Sequence, residues 1–90
     1  MMPNKRIRSR HRNRIEILRH IVEAANGGGV KKIRIIHKAN LSHDQLKGYL
    51  KVLIERDLLS YDLYTKTFRA TEKGLMFLEA YNQLDLVMKA

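Results

Sequence analysis

Hydrophobic positions change from helical to strand-like spacing and back along this chain, which predicts three helices, a hairpin and a fourth helix. The first helix is predicted to begin after Asn13, because Asn13 and Glu16 have the spacing of a capping box. Its apolar side chains, between residues 15 and 25, recur on one side of a helical wheel. Asn26 and Gly27 suit the left-handed backbone that ends many helices, so we place its end there.

Two further helices are predicted on either side of a short turn. After a glycine run at 27–29, interpreted as a flexible joint, a helix is expected from about Lys31 to Ala39. A third is expected from His43 to Arg56, opened by a Ser42 and Gln45 capping box. The positions expected to face inward are Ile33, Ile36 and Ala39 on the second helix and Leu46, Tyr49, Leu50 and Leu53 on the third.

A two-stranded hairpin follows the third helix in the predicted order. Its strands are expected at 58–61 and 67–71, with residues 62–66 as the tip. Thr71 then caps the last helix, which starts at Glu72. A helix-turn-helix followed by a hairpin is the layout of a winged helix. The predicted fold class is therefore α+β, mainly α: a winged helix-turn-helix at residues 13–71 with a C-terminal dimerisation helix at 72–90.

The last helix has more apolar surface than one contact can cover. One strip comprises Met76, Phe77, Ala80, Tyr81, Leu84, Val87 and Met88, and a second comprises Leu75, Leu78 and Leu86. We assign the wider strip to a two-fold dimer interface through Phe77, Tyr81, Leu84 and Met88. The narrower strip is expected to pack against the winged domain, although the periodicity alone also permits the reverse.

Charge adds a candidate partner to this layout. The 90 residues carry a formal net charge of +9, concentrated in residues 1–14, at +6, and residues 31–51, at +5. Such segregation favours binding to a polyanion. Residues 1–12 are expected to form a disordered basic arm. The residues predicted to bind double-stranded DNA are Arg8, Arg10, Arg12, Lys31, Lys32, His43, Lys47, Gly48, Lys51, Lys66 and Arg69.

These residues have expected roles of different kinds. Lys47 and Lys51 lie one turn apart on the outer side of the third helix, and Gly48 between them would let its backbone approach DNA. Lys66 and Arg69 belong to the wing, and the arm resembles basic arms that enter a minor groove. An ordinary solvated face, a plain hairpin and a tail with generic phosphate affinity are the alternatives. Without arginine or asparagine on that outer side, base readout is expected to be modest.

Other classes of function find little support in the residues. The absence of cysteine excludes disulfides, thiolate nucleophiles and zinc-finger ligand sets. The four histidines lack metal-ligand spacing, and there is no catalytic triad, carboxylate pair or cofactor motif. The longest apolar run, residues 75–78, is far shorter than a membrane span. We expect a non-enzymatic protein without metal, cofactor, membrane partner or evident small-molecule ligand, located in the cytoplasm with the nucleoid.

The ordered set of motifs resembles that of small archaeal winged helix-turn-helix regulators and the related ten-kilodalton archaeal chromosomal DNA-binding proteins. The resemblance covers about residues 13–85 and rests on Asn40-Leu41-Ser42, Gln45-Leu46-Lys47, Tyr49-Leu50, Leu58-Leu59, Tyr61-Asp62, Thr71-Glu72-Lys73-Gly74 and Phe77-Leu78-Glu79. It implies a homodimer held by an antiparallel coiled coil of the last helices, with a DNA-binding domain at each end. The last helix here, about 18 residues, is shorter than is usual in the chromosomal proteins, and the arginine arm is not part of the shared pattern.

The resulting hypothesis is a dimeric DNA-binding protein, either a transcription regulator or a chromosomal protein. The alternative is an RNA-binding or ribosome-associated basic module, which would use aromatic side chains for base stacking. A winged helix that binds other proteins ranks third, because it would need neither a basic third helix nor a basic arm.

Overall fold

The computed structural model describes residues 12–89, which form four helices and a two-stranded antiparallel sheet. The elements are α1 (Arg14–Ala24), α2 (Lys32–Ala39), α3 (His43–Glu55), β1 (Leu59–Asp62), β2 (Thr67–Ala70) and α4 (Glu72–Lys89). Their order and type confirm the predicted winged helix-turn-helix with a C-terminal helix. The strand ends differ from the prediction by one residue, since β1 begins at Leu59 and extends to Asp62, and Thr71 lies outside β2.

Two capping boxes fix the starts of α1 and α3. The Asn13 side chain accepts a hydrogen bond from the Glu16 amide at 2.8 Å, and the Glu16 carboxylate accepts one from the Asn13 amide at 3.1 Å. At α3, the Ser42 hydroxyl accepts from the Gln45 amide at 3.1 Å, and the Gln45 side chain accepts from the Ser42 amide at 2.9 Å. Each box satisfies two amides that have no partner within the helix.

One hydrophobic core lies between α1, α2, α3 and the hairpin. Its fully buried large side chains are Ile21, Val22, Ile35, Leu46, Leu53 and Leu59. The prediction for α2 was wrong at one position, because Ile35 is buried whereas Ile33 is 50% exposed. The expected spacing of three residues turns only about 300° per step, so it drifts around the helix. The buried set on α2 is Ile35, Ile36 and Ala39.

The hairpin is joined to the segment that precedes α2. In its register Tyr61 pairs with Phe68, and the two rings lie 4.6 Å apart between centroids. Val30 forms a bridge to Phe68, with N–O distances of 2.9 and 2.7 Å in the two directions. Gly29 packs so closely on Thr67 that an added Cβ would lie 2.5 Å from the Thr67 hydroxyl oxygen. Gly29 is therefore packed against the wing, whereas an added Cβ at Gly27 or Gly28 would meet no atom within 4 Å, and the flexible joint expected at 27–29 stays a prediction.

The start of α4 is held against the base of the hairpin. The Thr71 hydroxyl donates to the Asp57 carbonyl oxygen at 2.6 Å and accepts from the Gly74 amide at 2.9 Å. Gly74 is buried, and an added Cβ would collide with the Leu58 carbonyl oxygen. The Thr71-Glu72-Lys73-Gly74 segment thus combines a helix cap with a position where only glycine allows this approach of helix and strand.

The two faces of α4 differ from the expected division. Leu78 is buried as predicted, and Phe77 also packs partly against the core. Tyr81 is half-buried, with its ring 5.0 Å below the Arg19 guanidinium of α1. Leu75, assigned to the domain contact, is instead 42% exposed. The remaining large apolar side chains of α4 are exposed: Met76, Leu84, Leu86, Val87 and Met88.

Replacing Gly74 by alanine should lower stability, because the new methyl group has to displace backbone rather than a flexible side chain. We expect a loss of about 1–3 kcal/mol, the usual cost of overpacking. The matched control is Gly48→Ala on α3, where an added Cβ meets no atom within 4 Å. That change should stabilise the protein by about 1 kcal/mol through helix propensity. Urea denaturation measures both, and equal effects of the two substitutions would contradict the packing described for Gly74.

Candidate nucleic-acid interface

A groove of about 650 Å³ lies between the start of α2, one side of α3 and the wing. Six of the cationic or titratable residues predicted to bind DNA line it: Lys31, Lys32, His43, Lys47, Lys51 and Lys66. They come from three separate segments of the chain. The fold therefore brings together the second basic region and the wing on one concave surface.

The side of α3 that borders this groove is set by helical spacing. His43, Lys47 and Lys51 follow one another at intervals of four residues, so they form a row along one side. The Ser42 capping box sets where that row begins. Leu46, Leu50 and Leu53 anchor the adjoining side of α3 in the core. The lysine row is thus presented on a helix that cannot rotate without exposing leucine.

The wing is tied to the start of α2 across the groove. The Lys31 ammonium donates to the Thr65 carbonyl oxygen at 3.2 Å. The Lys66 amide donates to the Asp62 carbonyl oxygen at 2.7 Å and closes the hairpin loop, with Lys66 in the left-handed region at φ 57°. These hydrogen bonds hold both lysines at the same end of the groove.

The groove is positively charged without local compensation. Among residues 12–89, no acidic side chain lines the groove. The ion pairs within these residues, Arg19–Glu23 and Lys89–Asp85, lie on α1 and α4, away from the groove. The acids of α3, Asp44 and Glu55, are exposed outside the groove lining. An anion in the groove would therefore meet lysine ammonium groups and no opposing carboxylate.

The groove also has an apolar floor, which the sequence pattern did not predict. Ile33, Ile54 and Tyr61 line it and are 50%, 41% and 41% exposed. Ile54 lies outside the predicted inner stripe of α3, and this position in the sequence could have indicated that its apolar side chain is exposed. The positions of Ile33 and Tyr61 in the groove depend on how α2 and the wing pack against the rest of the domain. Local spacing in the sequence does not contain that information.

Other predicted contact residues lie elsewhere. Arg69 follows Phe68 on β2 and therefore projects from the opposite face of the wing, away from the groove lining. Gly48 faces open space on the exposed side of α3. Arg8 and Arg10 lie outside the described residues, so their expected contact with DNA stays a prediction.

Comparison with known proteins supports the winged helix-turn-helix fold. The family model for the winged helix-turn-helix matches residues 11–89. This chain belongs to the winged helix-turn-helix family. None of the curated proteins matches it in sequence.

A solved structure similar to this winged helix-turn-helix protein is that of Sso10a-2, described as a DNA-binding protein from Sulfolobus solfataricus. The TM-score is 0.77 at 19% sequence identity, and the match covers 87% of this chain and 83% of that one. The TM-score shows a shared fold, and at this identity the likeness extends to the fold alone.

The described part of this winged helix-turn-helix protein contains no cluster of three or more potential metal ligands. Within residues 12–89, no helix has the length and apolar character needed to cross a membrane.

Arg12 corrects the predicted boundary of the arm. Although it was expected within a disordered segment, its guanidinium donates to the His20 ring nitrogen Nδ1 at 2.8 Å and to the Asn40 carbonyl oxygen at 3.2 Å. These hydrogen bonds connect the chain before α1 to the turn between α2 and α3. The winged helix-turn-helix domain thus includes Arg12.

His20 accepts this hydrogen bond only with Nδ1 unprotonated. Its pKa is lowered below the ordinary value of 6.5, first by burial and then by the positive charges of Arg19 and Arg12. The unfolded chain therefore binds a proton at higher pH than the folded protein does. The contribution of His20 to stability is complete above pH 6.5 and is lost as the pH falls through 6.5 towards the lower folded-state pKa.

We expect the free energy of unfolding to fall between about pH 7.5 and 5.5, and His20→Gln to reduce that fall. Denaturant titrations across this range measure the slope. The control, His37→Gln, removes an exposed imidazole from α2 and leaves the Arg12 hydrogen bonds in place. A His20 variant whose pH slope equals that of wild type would show that the interaction does not depend on protonation.

Proposed function

We propose that this protein binds double-stranded DNA as a homodimer, with no enzymatic activity, as a transcription regulator or a chromosomal protein. The observation that carries the proposal is the groove in which five lysines and His43 surround a surface with no acidic lining residue. Membership of the winged helix-turn-helix family and the fold shared with Sso10a-2, described as DNA-binding, support it.

In the proposed complex α3 enters the major groove, and one phosphate strand runs between α3 and the wing. Lys47 and Lys51 approach that strand from α3, while Lys31 and Lys66 approach it from the wing side. The α3 helix fits this position, because the major groove of B-form DNA is wide enough to admit one α-helix. Ammonium groups in these positions replace counterions condensed on the phosphates.

The exposed side of α3 favours phosphate contact over base recognition. Asp44, Gly48, Lys51 and Glu55 recur there at helical spacing and are exposed. Bidentate readout of guanine uses arginine or lysine and that of adenine uses asparagine or glutamine. Lys51 is the sole candidate for base readout in this set. We therefore expect the protein to bind DNA of many sequences. Footprinting on genomic DNA separates the two roles: uniform protection would indicate a chromosomal protein, and discrete protected sites would indicate a regulator.

Dimerisation is proposed through the exposed strip of α4. Met76, Leu84 and Val87 recur on the side opposite Leu78, and each is at least 60% exposed. Eighteen residues form a helix about 27 Å long, so two such helices can align several turns of apolar side chains. Phe77 and Tyr81, predicted for this interface, already pack against their own chain; Leu84 and Met88 remain available to a second one.

Changing Lys47 and Lys51 together to alanine should weaken duplex binding and make the dependence of log K on log salt shallower by about 0.9 for each phosphate that is no longer neutralised. Thermal stability should change little, because both side chains are exposed. The control with the same change of net charge is Lys73→Ala with Lys89→Ala on α4. Fluorescence anisotropy at several salt concentrations measures the slopes, and equal effects in both double variants would point to net charge rather than the groove.

Leu84→Glu combined with Val87→Glu should produce folded monomers, because it places charges within the proposed interface while altering exposed positions of the monomer. Their DNA affinity should fall, since a dimer engages two half-sites with a raised effective concentration. Asn82→Glu is the control, as Asn82 lies beside Leu75 and Leu86 on another side of α4. Sedimentation velocity decides the matter, and a dimeric double variant would exclude this strip.

A further inference from the structure

The tip of the wing presents two large apolar side chains to solvent. Leu63 is 76% exposed and Tyr64 is 97% exposed, which makes Tyr64 the most exposed of the large hydrophobic side chains in residues 12–89. Neither belongs to the core or its partly buried surroundings. A hairpin loop of this length usually carries small or polar residues. In the isolated domain, both apolar side chains remain in water and contribute no hydrophobic burial to its stability.

This loop is held in one conformation by several hydrogen bonds. The Asp62 carboxylate accepts from the Tyr64 amide at 2.8 Å and from the Thr65 amide at 3.3 Å. The Thr65 and Thr67 hydroxyls bond to each other at 2.7 Å. Together with the hydrogen bonds of Lys31 and Lys66, these fix the tip from both sides. Little backbone conformational entropy therefore remains to be lost when Leu63 and Tyr64 meet a partner.

The charges around the tip identify the kind of partner. Lys31 and Lys66 lie directly behind it, and the one nearby carboxylate, that of Asp62, is bonded to backbone amides. An apolar tip with a pair of ammonium groups behind it fits a ligand with an anionic edge and an apolar interior. The minor groove of DNA has this chemistry, with phosphates at the rims and the stacked bases and sugars between them.

The position of the tip selects that groove. In the proposed function, one phosphate strand lies between α3 and the wing. A strand that borders the major groove on one side borders the minor groove on its other side. With α3 in the major groove, the wing therefore stands over the adjacent minor groove, with Leu63 and Tyr64 at its leading end.

We propose that Leu63 and Tyr64 form an apolar wedge that enters the minor groove, opens one base step and bends the duplex. The inference rests on the proposed DNA binding and adds an interaction that the lysines cannot supply. Apolar side chains inserted between base steps unstack them and bend the helix towards the major groove, where α3 lies. Insertion of the wedge releases no counterions, so its contribution to affinity is separate from that of the groove lysines.

The test compares wedge and charge in the same wing. Leu63→Ser with Tyr64→Ser should abolish bending of an end-labelled duplex measured by energy transfer and lower affinity about tenfold, with an unchanged salt slope. Lys66→Gln should retain the bend and make the salt slope shallower. Both variants should melt as wild type does, since the altered side chains are exposed. If the serine variant bends and binds DNA as wild type does, the wedge is overturned.

A fluorescent probe tests the wedge without removing it. The chain has no tryptophan, so Tyr64→Trp introduces a single one. Its emission should be quenched when duplex is added, because the indole meets the bases. Ile15→Trp, at an exposed position of α1 outside the groove, should be unaffected. Equal emission with and without bound duplex at position 64 would overturn the wedge.

Failure of the underlying function has a different signature. Wild-type protein that does not bind duplex DNA at low salt overturns the proposed function itself. Binding that survives in the serine variant together with a change from dimer to monomer in sedimentation would instead assign Leu63 and Tyr64 to an interface with a second copy, and the wedge would be wrong.

Discussion

The crossing of α4 over the base of the hairpin is the contact on which the rest of the structure depends. Around Thr71, the Ala70 amide bonds to the Ala25 carbonyl at 3.0 Å and the Thr71 amide to the Leu58 carbonyl at 3.2 Å. Gly74 permits the helix to lie against that same Leu58 carbonyl. The end of α1, both strands and α4 thus meet at one point. This crossing sets the orientation of the wing, and the wing forms one wall of the groove.

Elements specified by neighbouring residues could be predicted from the sequence. Each capping box is a contact over three residues, and Asn13 and Ser42 form them as expected. Contacts between distant segments were not predictable in this way. Val30 pairs with Phe68 through backbone atoms that leave no pattern in the sequence, and Ile33 is exposed because the core meets α2 along Ile35 and Ile36. Local spacing identified the inward side of α3, where Leu46, Leu50 and Leu53 are buried, but it misplaced the inward side of the shorter α2.

The candidate site was predictable to the same extent. Segregated charge identified the lysines of α2 and α3, because a polyanion-binding surface needs a local excess of cations. Alternation along β2 places Arg69 opposite Phe68, but which face borders the groove depends on how the hairpin packs. The expectation for Arg12 was wrong for a similar reason, since its partners, His20 and the Asn40 carbonyl, are 8 and 28 positions away. The disordered arm expected from composition at residues 1–11 lies outside the described residues and stays a prediction.

The direction of the lysine row has a consequence for recognition. Lys47 and Lys51 border the wing side of α3, while Asp44 and Glu55 are exposed outside the groove. A protein that grips a phosphate strand between helix and wing, and wedges a base step beside it, reads little through hydrogen bonds to base edges. It senses instead how readily a sequence bends, and pyrimidine–purine steps deform most easily. On the proposed function, preference among DNA sites would therefore follow flexibility at the step facing Tyr64 more than base identity along α3.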